Sequence, residues 1–282
     1  MKLATVAADG RTTWGLIEGD TFFDVGAVLA VRYADLKAAL SAALAGVADA
    51  KTTAAAIPLA KITWLPVIPN PDKILCVGLN YETHRKETGR TEVEHPTIFS
   101  RYANSQTGHL QPIVRPRVST DLDFEGELAV IIGKPGRYIS RNDAMSHVAG
   151  YSCYNDGSIR DFQRHTHQFT PGKNFPDTGA FGPWMMTPDE LGELGELKLQ
   201  TRLNGEVVQE AQIKQMIFDI PRQIEYCSTF TRLEPGDVIV SGTPGGVGSR
   251  RTPPLWMKPG DVVEVEVERL AVLRNPVVDE AR

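Results

Sequence analysis

The sequence predicts a mainly β protein with short helices, an α+β fold made of a small N-terminal domain over residues 1–70 and a larger domain over 71–282. Three observations carry this. Residues 128–132, Leu-Ala-Val-Ile-Ile, are an uninterrupted apolar run with β-branched side chains, closed by Gly133, which is the pattern of a buried strand. Asn204-Gly205 stands between two strand-like runs, 197–203 and 206–210, and Asn-Gly in that setting is the strongest short-range hairpin signal. Val263, Val265 and Val267 alternate with Glu264, Glu266 and Glu268, the period of a half-exposed antiparallel strand.

The remaining elements follow along the chain. Residues 2–7 and 13–17 read as short strands, Glu18-Gly-Asp20 as a turn and 21–24 as the returning strand. The Ala- and Leu-rich stretch 34–50 favours helix by intrinsic propensity. Pro58, Pro66, Pro69 and Pro71 punctuate the connection to the larger domain. This first part has no His and no convincing polar cluster, so no chemistry is assigned to it. Residues 73–80 form a strand running into a loop, and 81–89 a short helix stopped by Gly89. Residues 97–101 read as a further strand and 105–112 as a polar, Gly-broken loop. Ser140-Arg-Asn-Asp143 resembles a capping box ahead of a helix over 142–148. A strand over 150–156, a weakly helical segment over 157–164 and a loop over 165–174 come next. Asp219-Ile-Pro-Arg222 starts a helix that reaches about residue 230, with Pro in its first turn. Glu234-Pro-Gly-Asp237 and Lys258-Pro-Gly-Asp261 turn into strands at 238–240 and 262–270.

Composition narrows the class. With 282 residues, 41% hydrophobic and 23% charged, the chain has the make-up of an ordinary globular protein. A net charge of -5 with scattered Lys and Arg argues against nucleic acid or an anionic membrane as the main partner. No run of 18 apolar residues suggests a membrane span, and the apolar part of the N-terminus is too short for a signal peptide, so a cytoplasmic location is expected. Cys76, Cys153 and Cys227 are far apart, without a CxxC, and read as core residues.

The chemistry concentrates on Asp121-Leu-Asp-Phe-Glu-Gly-Glu. Glu125 and Glu127 stand at i, i+2, so on a strand they project to one face, at the edge of a buried sheet. Two close, buried carboxylates repel, and a hard divalent cation is the natural counter-charge, with Asp156 a candidate third oxygen ligand. On the 81–89 helix, His84 and Glu87 share a face; a carboxylate beside an imidazole makes a general base, although an exposed surface pair is the plainer reading of that spacing alone. His165 and His167 lack an accompanying Cys and read as solvent or structural contacts. The glycine-rich stretch 241–248 matches neither phosphate-binding fingerprint and reads as backbone brought close to a ligand.

Six ordered blocks between about residues 71 and 278 together resemble the fumarylacetoacetate hydrolase superfamily: Lys73-Ile-Leu-Cys-Val-Gly-Leu-Asn-Tyr-x-x-His84, Asp123-Phe-Glu-Gly-Glu-Leu-Ala-Val-Ile-Ile-Gly-Lys134, Tyr154-Asn-Asp-x-Ser-x-Arg-Asp161, Gly172-Lys-Asn-Phe175, the 233–248 block through Ser-Gly-Thr-Pro-Gly-Gly-Val-Gly, and Leu273-Arg-Asn-Pro276. The resemblance implies a mixed β-sandwich roll for the catalytic domain, a homodimer and a Mg²⁺ or Mn²⁺ site. It makes Glu125, Glu127 and Asp156 the metal ligands, an all-oxygen set that suits those ions. It implies that His84 and Glu87 activate water, which reverses the plainer reading above, and that Lys173 supports charge on a substrate oxygen. Gln163 and Thr243 become substrate-binding positions, and Arg101, Tyr102, Gln106 and His109 are weaker candidates by loop position. The implied activity is hydrolysis of a C–C bond in a small 2,4-dioxo, acylpyruvate-like acid through a metal-stabilised enolate, in catabolism. The alternatives are an oxo-acid decarboxylase, a 5-carboxymethyl-2-hydroxymuconate-type isomerase, or a non-catalytic binding member. The chain departs from the common pattern at Pro244-Gly-Gly, at Tyr154 and Gly157-Ser-Ile159, and in the loop 164–171. Asn80 stands where longer hydrolases place a further carboxylate, so three carboxylates are expected.

Overall fold

The apolar run 128–132 becomes the middle of a sheet. In the computed structural model, which describes residues 1–91 and 94–281, strand Gly126–Ile132 is buried along its whole length. It lies between Val148–Asp156 and Val238–Val240 and is antiparallel to both. Its side chains feed two cores. Leu128, Val130 and Ile132 pack with Leu199, Val263 and Val265, whereas Ala129 and Ile131 pack with Leu36, Val67, Tyr154 and Phe181. A strand covered on both faces has no polar side, which is why its sequence does not alternate.

Among the described residues, twelve strands join this sheet. Its main path is Ala56–Pro58, Thr21–Phe23, Arg11–Glu18, Lys2–Ala8, Gly179–Met186, Val148–Asp156, Gly126–Ile132, Val238–Val240, Ile74–Gly78 and Thr97–Arg101. The N-terminal strands continue the central sheet, through the pairs Lys2↔Met186 and Leu3↔Met185. A second sheet, in the order Glu206–Gln212, Lys198–Leu203, Val262–Val267, Ala271–Asp279, Ile113–Arg115, covers one face of the central strands. Val263, Val265 and Val267 point into the space between the sheets, and Glu264 and Glu266 pair outside with Arg202. Asn204 and Gly205 turn the expected hairpin with positive φ. The architecture is the expected sandwich of mixed sheets with short helices.

Several local expectations change. The stretch 34–50 is not one helix: it divides into Leu36–Ser41, capped by Asp35, and Val47–Ala50. Ala43, Leu44 and Gly46 between them take positive φ. Helix propensity favours any Ala-rich window, but here the chain turns so that Val47 and Ala50 reach the core, and burial outweighs propensity. The segment expected as a helix over 142–148 is a 3₁₀ turn, Ala144–His147. The loop expected over 165–174 ends in a short helix, Thr170–Lys173. The C-terminal helix forms as expected over Ile220–Phe230, with the Asp219 carboxylate accepting from Arg222 N at 2.9 Å. All three cysteines are buried free thiols. No helix among the described residues is long and apolar enough to cross a membrane.

His109, considered above for substrate contact, is instead a packing residue. Its Nδ1 accepts Arg274 N at 3.1 Å and its ring meets Trp64 edge-on at 5.4 Å. Burial, and then the Arg274 charge, push its pKa down from 6.5 to about 4. An unfolded chain therefore takes up a proton at this ring more readily than the folded one. Stability present above about pH 6.5 should be lost as pH falls towards 4, by up to about 3 kcal/mol from this group. Denaturant melts of His109→Gln and the parent at pH 7.5 and 4.5 test this. The gap between the two proteins should shrink at low pH; a pH-independent gap would exclude the linkage.

Candidate metal centre

Antiparallel register brings the carboxylates together. Gly126 pairs with Asn155, Asp156 N donates to Glu125 O at 2.8 Å, and so the start of one strand meets the end of its neighbour. Oxygens of Glu125, Glu127 and Asp156 lie within 4.8 Å of one another, and all three residues are buried. The pair sits at the end of an interior strand rather than at the sheet edge expected from the sequence, because strands flank it on both sides. Gly126 between the two glutamates is a packing requirement. A Cβ there would lie 2.0 Å from Thr201 Oγ1 and 3.3 Å from Val265 Cγ1. Gly126→Ala should cost about 1–3 kcal/mol as overpacking, and Thr201→Ala in the same chain should restore part of it. Unfolding midpoints of the four-protein cycle measure this, and additivity would reject the contact.

The three carboxylates do not share positive charge equally. Glu125 accepts Arg160 Nη2 on Oε1 and Lys173 Nζ on Oε2, each at 2.6 Å. Asp156 accepts Arg101 Nη1 at 2.6 Å and Lys173 Nζ at 2.5 Å. Glu127 accepts only the backbone N–H of Gly242 among its described partners. Burial first, then the Asp156 and Glu125 charges, push the Glu127 carboxyl well above its usual range. Burial would raise Glu125 too, but Arg160 and Lys173 outweigh it and hold that carboxylate well below its usual range. Burial likewise opposes the Lys173 charge, yet Asp156 and Glu125 keep its pKa raised. An under-compensated carboxylate beside two that already hold cationic partners, all presenting oxygen, fits a hard divalent cation such as Mg²⁺ or Mn²⁺.

Two residues that the sequence reading left without a role organise this network. Asp123 is fully buried and accepts Arg160 Nε at 2.7 Å, its neighbour Phe124 N at 2.9 Å, Gly248 N at 2.7 Å and Ser249 N at 3.0 Å. Arg160 links that carboxylate to Glu125. The signal was in the sequence: Asp123 precedes the two glutamates at the same i, i+2 spacing, and Arg160 lies in the Arg-Asp block. The short pair Leu122-Asp123 with Ser158-Ile159 holds the two segments side by side.

A cavity of about 370 Å³ opens over Glu125, Glu127 and Lys173. His84, Gln163, Thr243, His165 and His167 also line it. His84 Nδ1 donates to Glu87 Oε1 at 2.7 Å, which leaves Nε2 with the lone pair. Glu87 is fixed in turn by Gly246 N at 2.8 Å, and Thr83 on the same helix accepts Gly245 N at 3.0 Å. The helix Glu82–Glu87 thus rests on the glycine-rich loop, whose backbone closely approaches this helix. Gly246 has φ +102°, and a Cβ there would meet Val208 O at 2.3 Å.

The other expected residues fall as follows. Gln163 Oε1 accepts Arg160 Nη1 at 2.9 Å at the cavity wall. The Thr243 hydroxyl donates to Gly126 O at 3.0 Å and accepts Gln209 Nε2 at 2.8 Å, so it also ties the loop to the ligand strand. Arg101 was expected at the substrate. Its side chain is instead wholly buried behind Asp156, bound also to Thr178 Oγ1, Gly157 O and Ser105 Oγ, outside the cavity lining. Tyr102 is 56% exposed and also outside it. Gln106 is buried near Ile68 O. Asn80 bridges Ser241 O and Phe218, a structural tie rather than a ligand.

The profile of the fumarylacetoacetate (FAA) hydrolase C-terminal domain matches residues 73–278. The mitochondrial oxaloacetate tautomerase of Homo sapiens is 43% identical over 224 residues, 79% of this chain and 71% of that protein. The 5-carboxymethyl-2-hydroxymuconate delta-isomerase of Mycobacterium smegmatis superposes with a TM-score of 0.81 at 29% identity, over 99% of this chain and 100% of that one. The maleylpyruvate hydrolase of Sphingobium sp. SYK-6, solved with manganese(II) and pyruvate, does so with a TM-score of 0.83 at 26% identity, over the whole of both chains. The match over three quarters of the sequence and the carboxylate geometry agree, and the chain belongs to the fumarylacetoacetate hydrolase family.

Proposed function

We propose that this protein is a divalent-metal-dependent enzyme that forms the enolate of a short 2-oxo acid carrying a second carbonyl group β to the first. The observation that carries this is the convergence on one cavity of Glu125, Glu127, the Lys173 ammonium and His84, with Asp156 within 4.8 Å behind the two glutamates and Glu87 bonded to His84. Glu125, Glu127 and Asp156 would hold the ion, which when bound supplies Lewis-acid stabilisation of negative charge on the oxo acid. Lys173, lining the same floor, offers a buried positive charge to the 2-oxo oxygen, where preorganised charge acts best. His84 Nε2 takes the proton, and Glu87 stabilises the imidazolium that results.

Two outcomes share this enolate. In tautomerisation, His84 takes the C3 proton of an oxaloacetate-like acid and the 2-oxo oxygen is protonated. This reading is supported by the 43% identity to an oxaloacetate tautomerase. In C–C hydrolysis of an acylpyruvate, His84 takes a proton from water and hydroxide adds to the C4 carbonyl. The C3–C4 bond then breaks, and the pyruvate enolate is protonated at C3. The carboxylate-backed imidazole and the similarity to a maleylpyruvate hydrolase support this second reading. Purified protein with Mg²⁺ or Mn²⁺ should be assayed against enol-oxaloacetate and a series of acylpyruvates, with products identified. Equal mass marks tautomerisation and two acids mark hydrolysis. Loss of CO₂ alone would point to decarboxylation, and no metal-dependent turnover of any of them would reject the proposal.

A further inference from the structure

The cavity lining is rich in arginine. Arg90, Arg160, Arg164 and Arg250 all line it, and of these Arg164 and Arg250 are exposed and lie close to one another while Arg160 is buried. Arg160 is spoken for, paired with Asp123 and Glu125. Among the described residues, the guanidinium groups of Arg164 and Arg250 have no ion pair and no side-chain hydrogen bond. They are close enough to feel one another: burial, and then the Arg160 and Arg250 charges, lower the Arg164 pKa, against a weaker pull from Asp123 and Asp121. Like charges set together cost free energy, and folding gains nothing from them here. The chain as a whole carries -5, so a positive rim runs against its overall charge.

Nor are these arginines on slack chain. Arg164 N donates to Arg160 O at 3.2 Å and to Asp161 O at 3.1 Å at the end of helix Arg160–Gln163. The backbone just before Arg250 is held by Gly248 N and Ser249 N on Asp123. The same buried carboxylate holds Arg160. One anchor therefore sets both exposed arginines along a cavity that is also lined by Glu125 and Glu127 of the carboxylate cluster. Paired guanidinium groups are suited to a carboxylate, which they bind through parallel N–H donors.

We propose that Arg164 and Arg250 form a distal anion subsite that takes a second carboxylate of the substrate, so that the cavity selects dianionic 2-oxo acids over monoanionic ones with an apolar tail. This rests on the reading above, in which the 2-oxo end of the substrate lies at Glu125, Glu127 and Asp156. The subsite assigns a polarity to the cavity, with the reacting carbonyls at the floor and the second carboxylate at the rim.

The test uses three probes with Mg²⁺ present, measured by calorimetry on the parent chain and on Arg164→Gln/Arg250→Gln. Oxalate reports the floor and is too short to reach the rim. 2-Oxoglutarate and 2-oxopentanoate have the same chain length and differ by the distal carboxylate. The parent should bind 2-oxoglutarate roughly 10-fold more tightly than 2-oxopentanoate, the scale of a charge-assisted contact. The double variant should lose that preference and keep its oxalate affinity, and in the parent the preference should weaken with added salt. Oxalate binding with no preference in the parent, or a preference that survives in the variant, overturns the subsite alone. Failure of oxalate to bind the parent overturns the reading of the floor, and the subsite with it.

Discussion

Glu127→Gln is expected to cut metal-dependent turnover by orders of magnitude while leaving the metal-free protein as stable as before, or more so. Glutamine keeps the size of the side chain and an oxygen for the Gly242 N–H. It removes a charge that burial, Asp156 and Glu125 all disfavour, as the raised pKa of Glu127 records. In chelator, the melting temperature should therefore hold or rise. With Mg²⁺ or Mn²⁺ the parent should gain stability by mass action and the variant should not. Activity should fall on the order of 10³-fold, since a divalent ion contributes several kcal/mol of charge stabilisation. A variant that melts lower in chelator would mean that Glu127 serves the fold. One that keeps its metal-induced shift would mean that the ion sits elsewhere.

His84→Ala should have the second largest effect, with a different signature. General base catalysis is worth about 10²–10⁴-fold, so kcat for a reaction that needs a proton taken from water or carbon should drop by that order. Metal affinity should be unchanged, because His84 is bonded to Glu87 and not to the carboxylate cluster. Any decarboxylation of oxaloacetate should be spared, since loss of CO₂ forms the enolate with no attacking water. Titration of metal binding alongside product analysis separates these. Equal loss of hydrolysis, tautomerisation and decarboxylation would show that the pair is not a base. The Glu87 side chain also holds Gly246 N, so a Glu87 variant would disturb the loop as well and is the poorer probe.

How much could be read without coordinates differs by residue. The strand that starts at Glu125-Gly-Glu127 was legible because apolar runs and i, i+2 spacing are local properties, and the helix 220–230 because its starting Asp219 and the proline of its first turn lie within a few residues of each other. The break in 34–50 was not legible, because Ala and Leu favour helix wherever they occur and the turn at 43–46 answers to a core formed by distant strands. Arg101 shows the same limit at the site. An arginine at the end of a strand, next to a polar loop, invites a substrate role, and only the folded chain reveals that Asp156 and Thr178 have already taken its donors.

The sequence by itself determined the mainly β class, the carboxylate pair on one face, the His84–Glu87 pair on one helix and, through six ordered blocks, the family. These rest on side-chain periodicity and short-range spacing, which any chain carries before it folds. The tertiary structure alone decided which carboxylate lacks a positive partner, that Asp123 and Arg160 brace Glu125, that Arg101 stands behind the site, and that Arg164 and Arg250 lie close together along its cavity. The physical reason is that electrostatic balance depends on distances between segments far apart in sequence. Strand register and burial set those distances only when the whole sheet is assembled.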